Sequence, residues 1–279
     1  MADAWAIRPM DDTDVGPAAA MILAGGWGDR TVFLEWAVGH ASCRAFLAEI
    51  DGRIVGTGVA TANGSVGWVG TIFVAPDERG RGIGAALTRA VVYDLERRDC
   101  RTLVLIATDE GRPVYERQGF TVQTRYVRYA APSGPPPVAD DLVRELRASD
   151  LPVIVELDRI ATGEDRSAIL RSFAELETGR IAQRPDGRVG GFLVRSPWGG
   201  KALIAPDPDD ALRLLDWRRS RAAPDRRIGI AVLEENQTGR GRLAEAGWEE
   251  QPGGTRMIRG EPLAWRPEMI WGQFNGALG

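Results

Sequence analysis

The chain has 279 residues, 44% of them apolar and 27% charged, which is the balance of a folded globular protein and argues against a disordered or fibrous one. The net charge of -4 and the even spread of basic residues, nearly all arginine, argue against a nucleic-acid surface, and the single histidine, His40, leaves no material for a multi-histidine metal site. No run of about twenty uncharged apolar residues is present to cross a membrane.

The beginning of the chain carries Asp3 where a secretory signal needs basic residues, and only two cysteines, Cys43 and Cys100, are present. Both points predict a cytoplasmic protein with buried free thiols. In chain order, a short strand at Ile7-Arg8 precedes a helix from about Asp14 to Leu23, with Asp14 as its predicted N-cap. A glycine-rich turn, Gly25 to Gly28, leads to a second helix over Thr31 to Gly39. Strands over Arg44 to Ile50, Arg53 to Ala62 and Val66 to Val74 follow, punctuated by Asp51-Gly52 and Asn63-Gly64, both strong hairpin signals. Pro76 ends the third strand. An amphipathic helix then runs from Gly82 to about Arg98, with Ile83, Leu87, Val91 and Leu95 at helical spacing. A buried strand at Thr102 to Ala107, a helix at Arg112 to Gln118 stopped by Gly119, and a strand at Thr121 to Tyr129 complete this half. The fold class is α/β, an α+β mixed sheet with an antiparallel front and a βαβ-like back.

The proline-dense stretch from Ala130 to Val138 reads as a semi-rigid linker. Beyond it the pattern repeats at matched offsets: Val143-Arg144 with Asp150 echoes Ile7-Arg8 with Asp14, Leu203-Ile-Ala-Pro-Asp207 echoes Phe73-Val-Ala-Pro-Asp77, and Gly247-Trp248 echoes Gly119-Phe120. A tandem duplication is the reading, with domains at 1–130 and 141–279 and a linker at 131–140.

Arg79-Gly-Arg-Gly-Ile-Gly84 lies between a strand and a long helix, where unpaired backbone N–H groups and the helix dipole converge. Glycines 80, 82 and 84 let a pyrophosphate approach the backbone, and Arg79 and Arg81 add positive charge. No Gly-Lys-Ser/Thr follows, which excludes a P-loop. A dinucleotide turn is met loosely by Gly80, Gly82 and Ala85, with Asp109 further on, but the preceding antiparallel meander and the intervening Ala-Pro-Asp-Glu-Arg are the wrong context. A glycine-rich helix entry without a ligand is the bland alternative.

At Val74-x-Pro76, Arg79 to Gly84 and Gly111 to Phe120, with Tyr115 between, the sequence resembles the GNAT acetyltransferase family over residues 5–129. The second half resembles a diverged GNAT fold, with Asp207-Pro-Asp-Asp where the glycine loop should stand. The resemblance implies acetyl-CoA as donor and an amine of a small molecule or peptide as acceptor, with no metal. It implies that Ile72, Phe73 and Val74 pair with the pantetheine arm, the Val74 amide facing the oxyanion, and that Arg79, Gly80, Arg81, Gly82, Ile83 and Gly84 hold the pyrophosphate. Tyr115 stands where the family places a phenol beside the leaving thiolate. The strand before the loop offers no carboxylate, so Glu35, His40, Glu49 and Asp109 remain as candidate bases, beside a water chain. Trp27 is a candidate wall of the acceptor pocket, and the sequence leaves room for a homodimer. A non-catalytic acyl-CoA sensor and a transferase of longer acyl or aminoacyl groups are the competing functions.

Overall fold

Asp51 and Gly52 both take positive φ, 48° and 77°, the pair of values a two-residue type I′ hairpin turn requires. That turn joins β2 to β3 in the computed structural model, which describes residues 5–132, 141–174, 179–223 and 227–279. The first elements are β1 (Trp5–Pro9), α1 (Val15–Ala24), α2 (Thr31–Gly39), β2 (Cys43–Ile50), β3 (Arg53–Asn63) and β4 (Val66–Val74). They are followed by α3 (Ile83–Arg97), β5 (Thr102–Ala107) and α4 (Arg112–Glu116). Strands β1 to β4 pair antiparallel in sequence order, and β5 adds parallel to β4. The predicted stripe of α3 does what its period implies. Ile83, Leu87, Val91 and Leu95 are all at most 1% exposed and pack on Phe46, Val55, Val69, Leu103 and Leu105, each such side chain contributing about 1.5–3 kcal/mol on burial.

The chain divides into two compact units: residues 1–122 with 257–261 and 276–279, and residues 123–256 with 262–275. The strand β6 (Thr121–Ala130), expected to close the first domain, therefore falls with the second unit from Gln123 onward. The reason is its partners there, since Val127 to Ala130 and their neighbours pair antiparallel with 229–233 and 249–251. In the first unit, residues from the far end of the sequence lie beside β5 instead: Thr102 Oγ1 donates to the Glu261 carbonyl at 2.8 Å. Sequence order alone does not reveal such a substitution. Most of the expected linker, residues 133–140, lies outside the described residues.

The second unit contains β7 (Val143–Glu145), α5 (Leu151–Thr162), α6 (Ser167–Ala174), β8 (Arg180–Gln183), β9 (Val189–Arg195) and β10 (Lys201–Ile204). It continues through α7 (Pro208–Ser220), β11 (Gly229–Leu233), α8 (Gln237–Glu245) and β12 (Glu249–Gln251); β13 (Thr255–Gly260) begins in it, and β14 (Ile270–Gly272) belongs to it. One antiparallel sheet runs β14-β10-β9-β8-β7.

The duplication is legible at atomic level. Arg8 grips Asp14 through two bonds of 2.6 and 2.9 Å, and Arg144 grips Asp150 through two of 2.7 and 2.8 Å. Each aspartate also accepts a backbone N–H, from Asp11 and Arg147 respectively. Neither makes a side-chain cap at the helix that follows; its oxygens are engaged by the arginine of the opening strand and by the backbone N–H three residues before it. Both cysteines are free thiols; Cys100 is buried, but Cys43 is only half-buried, against the Thr61 hydroxyl.

Candidate active site

Strands β4 and β5 are paired only at Val66–Thr102, Gly67–Leu103 and Trp68–Val104. Beyond these residues they part, and the cause lies on the other side of β4. There Val59 opposes Gly70 and Thr57 opposes Phe73, so Thr71 and Ile72 together face the single residue Gly58. This is a β-bulge, which bends the strand that carries it. Thr71 sits at φ 52°, a strained value for a β-branched residue, and the buried Thr57 hydroxyl holds its carbonyl at 3.0 Å. A Cβ at position 58 would lie 2.9 Å from Ile72 Cδ1 and 3.0 Å from Val91 Cγ2, so the glycine there lets these two side chains close over the bulge.

Past the bulge, Ala75 N–H donates to the Val55 carbonyl at 2.9 Å. Hydrogen-bonded and non-bonded pairs alternate along an antiparallel ladder, so Val74, opposite Gly56, turns its N–H away from β3 and toward the opened edge. Its carbonyl accepts from Arg79 Nε at 3.3 Å. An amide donor thus faces the opened edge of β4.

The loop after Val74 leads into α3. Gly80 and Gly82 have φ of 81° and 84°, left-handed values that suit glycine, and open space lies where their Cβ atoms would project. The first N–H groups of a 15-residue helix follow immediately. Glu78, 6% exposed, lies between Arg53 and Arg81 and bonds both. Arg81 is thus bonded to a carboxylate, and Arg79 is exposed. Ile83 and Phe73 are each 1% exposed, so only their backbones are available to a ligand. Ile72 packs on the α3 side of the sheet.

Tyr115 is half-buried and meets Phe120 edge-on at 6.2 Å. Its ring lies against the turn after β5, where a Cβ on Gly111 would be 3.3 Å from both Tyr115 Cε2 and Thr108 Oγ1. Desolvation pushes the phenol up to about 12. Trp27 is 40% exposed and stands edge-on to Phe73 at 5.1 Å. Gly25 makes room for that ring, since a Cβ there would fall 2.1 Å from Phe73 Cζ.

Residues 19–120 match the acetyltransferase (GNAT) family, and residues 154–272 match an acetyltransferase (GNAT) domain. The chain belongs to the GNAT family, in two tandem copies. An uncharacterized N-acetyltransferase of Bacillus subtilis, YitH, is 27% identical over 154 residues, 53% of this chain and 54% of that protein, so the chain spans about half the length of this curated relative. A crystal structure of a proposed acetyltransferase from Pyrococcus horikoshii superposes with a TM-score of 0.83 at 22% identity, covering 99% of this chain and 96% of that one. A tandem GNAT protein from the clavulanic acid biosynthesis pathway superposes at 0.64 and 17% identity, covering 93% and 99%. These two likenesses concern the fold.

The two GNAT copies differ at the cleft. In the second, β10 stands where β4 does in the first, yet it pairs with β9 in unbroken register from Lys201–Arg195 to Ile204–Phe192. Its other edge is covered by β14. At the start of α7, Asp207 caps its own helix through the Asp209 N–H at 3.0 Å. The buried Asp210 carboxylate bonds Arg184 and Arg213 and fills the space above Gly190, whose Cβ would fall 2.2 Å from Asp210 Oδ2. Where the first copy has an open glycine turn, the second thus has a buried carboxylate with its own arginine partners.

The candidate bases fare poorly. Glu49 is paired with Arg8 at 3.1 Å. His40 stacks on Trp36 at 4.2 Å, accepts the Ser42 N–H through Nδ1 at 3.2 Å, and burial lowers its pKa, which describes a neutral imidazole fixed in a turn. Glu35 and Asp109 are exposed. Among the described residues no group of three or more His, Cys, Asp or Glu side chains forms a metal site, and no helix is long and apolar enough to cross a membrane. Sequence reasoning missed Thr57, Thr71 and Glu78. The bulge leaves no periodic signal, and Glu78 reads as one more exposed charge in a polar loop.

Proposed function

We propose that the protein is a cytoplasmic, acetyl-CoA-dependent N-acetyltransferase whose first GNAT domain binds the donor and transfers acetyl directly to an amine of a small molecule or peptide. The observation that carries this reading is the Val74 amide turned into the parted β4–β5 edge, with the glycine turn and the N-terminus of α3 directly after it. The pyrophosphate would rest on the backbone of Gly80 to Gly84 with Arg79 beside it, and the pantetheine arm would lie along Ile72 to Val74.

The amine lone pair attacks the thioester carbon. A C–N bond forms, the carbonyl oxygen gains charge opposite the Val74 N–H, and the C–S bond then breaks to release CoA. The Tyr115 phenol, at about 12, is a weaker acid than a thiol of about 8.5. It therefore serves as a hydrogen-bond donor to the leaving sulfur. The attacking amine must arrive neutral, and an alkyl amine of pKa about 10.4 is roughly 4.6 kcal/mol from that form at pH 7. With Glu49 and His40 both engaged, the reading favours water as the route by which the amine's proton leaves.

Isothermal titration with acetyl-CoA tests this reading on the wild type and on Gly84→Glu. A Cβ at position 84 meets only Val74 Cγ2, at an ordinary 3.5 Å, so the helix tolerates the substitution while a carboxylate is set beside the pyrophosphate. The expected result is binding by the wild type and a loss of at least about tenfold in the variant. Equal binding by both would overturn the assignment. Thiol release across an amine panel then separates an enzyme from an acyl-CoA sensor, which binds without turnover.

A further inference from the structure

We infer that Glu78 is a positioning residue that competes with the donor's pyrophosphate for Arg81 and so limits how tightly the glycine turn holds CoA. This rests on the turn being the donor site. A carboxylate is costly to bury unless charged donors meet it, and the Glu78 side chain, 8% exposed, meets two. Arg53 Nη2 donates to Oε1 and Arg81 Nη1 to Oε2, so each oxygen has its own arginine.

The two arginines are not equivalent. Arg53 opens β3 opposite Ile50, and its Nη1 also donates to Asp77 at 3.2 Å, so it is held by a strand and by two carboxylates. Arg81 stands inside the turn, between Gly80 and Gly82, and its side chain is 31% exposed. It can therefore turn to a phosphate resting on this loop while Arg53 keeps Glu78 paired, and the exchange leaves no buried carboxylate unmet. The phosphates of acetyl-CoA and of CoA are the same. A grip on them binds substrate and product alike, which does nothing for the transfer step and slows the departure of CoA. Glu78 weakens that grip by offering Arg81 another partner.

The test is isothermal titration of the full chain and its Glu78→Gln, Arg81→Ala and doubly substituted variants with CoA and with dephospho-CoA, which keeps the pyrophosphate and lacks the 3′-phosphate. Glutamine keeps the length of the side chain and one acceptor oxygen but loses the charge. Glu78→Gln should bind both nucleotides about threefold more tightly, the scale of one partly exposed ion pair given up. Arg81→Ala should bind both about threefold more weakly, and the double variant should match Arg81→Ala, so that Arg81 contributes about tenfold once its rival is gone. Damage to the loop weakens binding, so the tightening is a response that a purely structural Glu78 does not give. Weaker or unchanged binding by Glu78→Gln, a tightening that survives in the double variant, or one seen with CoA and not with dephospho-CoA would overturn the inference while leaving the donor site intact. Binding of neither nucleotide by the wild type would remove the underlying reading and this inference with it. Should Glu78→Gln not fold, Arg53→Met decides the matter: it leaves the buried carboxylate to Arg81 and should weaken both nucleotides, and unchanged or tighter binding would overturn the inference.

Discussion

Val74 and Tyr115 differ in what can be removed from them. The Val74 N–H lies outside the β3 ladder, so Val74→Pro deletes a donor without deleting a strand bond, on an edge where proline is tolerated. Because Ala75 N–H is the group that pairs with Val55, Ala75→Pro is the contrasting control. Val74→Pro should keep its melting transition and lose about a hundredfold or more in kcat for acetyl transfer, the usual consequence of losing one oxyanion donor; Ala75→Pro should lose stability. Equal kcat for Val74→Pro and wild type would rule the amide out. Tyr115 is tested by pH. Desolvation holds the phenol protonated up to about 12, so as pH rises through the amine's pKa the rate should climb with no fall caused by Tyr115 below that value. Tyr115→Phe should lower kcat by about tenfold or more with the KM for acetyl-CoA unchanged. A pH–rate profile that already turns down near pH 9 in the wild type but not in Tyr115→Phe would contradict this assignment.

The element on which the cleft depends is the bulge in β4, and it was not legible in the sequence. Gly70-Thr-Ile-Phe-Val74 reads as an ordinary buried strand, and nothing in its alternation marks the extra residue. By contrast, the meander, its turns and the α3 stripe were legible, because Asp51-Gly52, Gly64 and the helical spacing of Ile83, Leu87, Val91 and Leu95 are local signals. The bulge is stabilised by a contact between strands, Thr57 Oγ1 to the Thr71 carbonyl. Thr57→Val keeps the shape of the side chain and removes the donor. It should lower stability by about 1 kcal/mol in chemical denaturation and weaken acetyl-CoA binding, because a relaxed β4 is free to pair with β5 along the cleft. Thr71→Gly should move the other way on stability, by about 1 kcal/mol, since glycine adopts φ 52° without strain. A Thr57→Val protein that loses stability yet binds acetyl-CoA as before would detach the bulge from the cleft.

Across the whole molecule, the two copies retain the same structural clamp and differ in the features that would bind a ligand. Arg8–Asp14 and Arg144–Asp150 recur with the same spacing and a backbone partner at the same offset, whereas among the described residues the parted strand edge and the positive-φ glycine turn before the helix belong to the first copy. The clamp was half legible: the matched arginine and aspartate were visible in the sequence, but their bond was not, because an aspartate before a helix reads first as a cap. In both aspartates the largest cause of a lowered pKa is the hydrogen bond from the arginine. Their contribution to stability is therefore complete above the ordinary carboxylate pKa of about 3.9 and is lost as pH falls below it toward the folded-state values. The division of labour has a direct consequence for stoichiometry. Titration of the full chain should give one acetyl-CoA per chain. Removing the obstructing carboxylate by Asp210→Ala should not create a second site, because β14 still covers the edge of β10 and β9 still pairs with it in unbroken register. Two equivalents in the wild type would show that the second copy binds the donor by some geometry other than a parted strand pair. A second equivalent only in Asp210→Ala would make the carboxylate, and not the closed sheet, the element that excludes CoA.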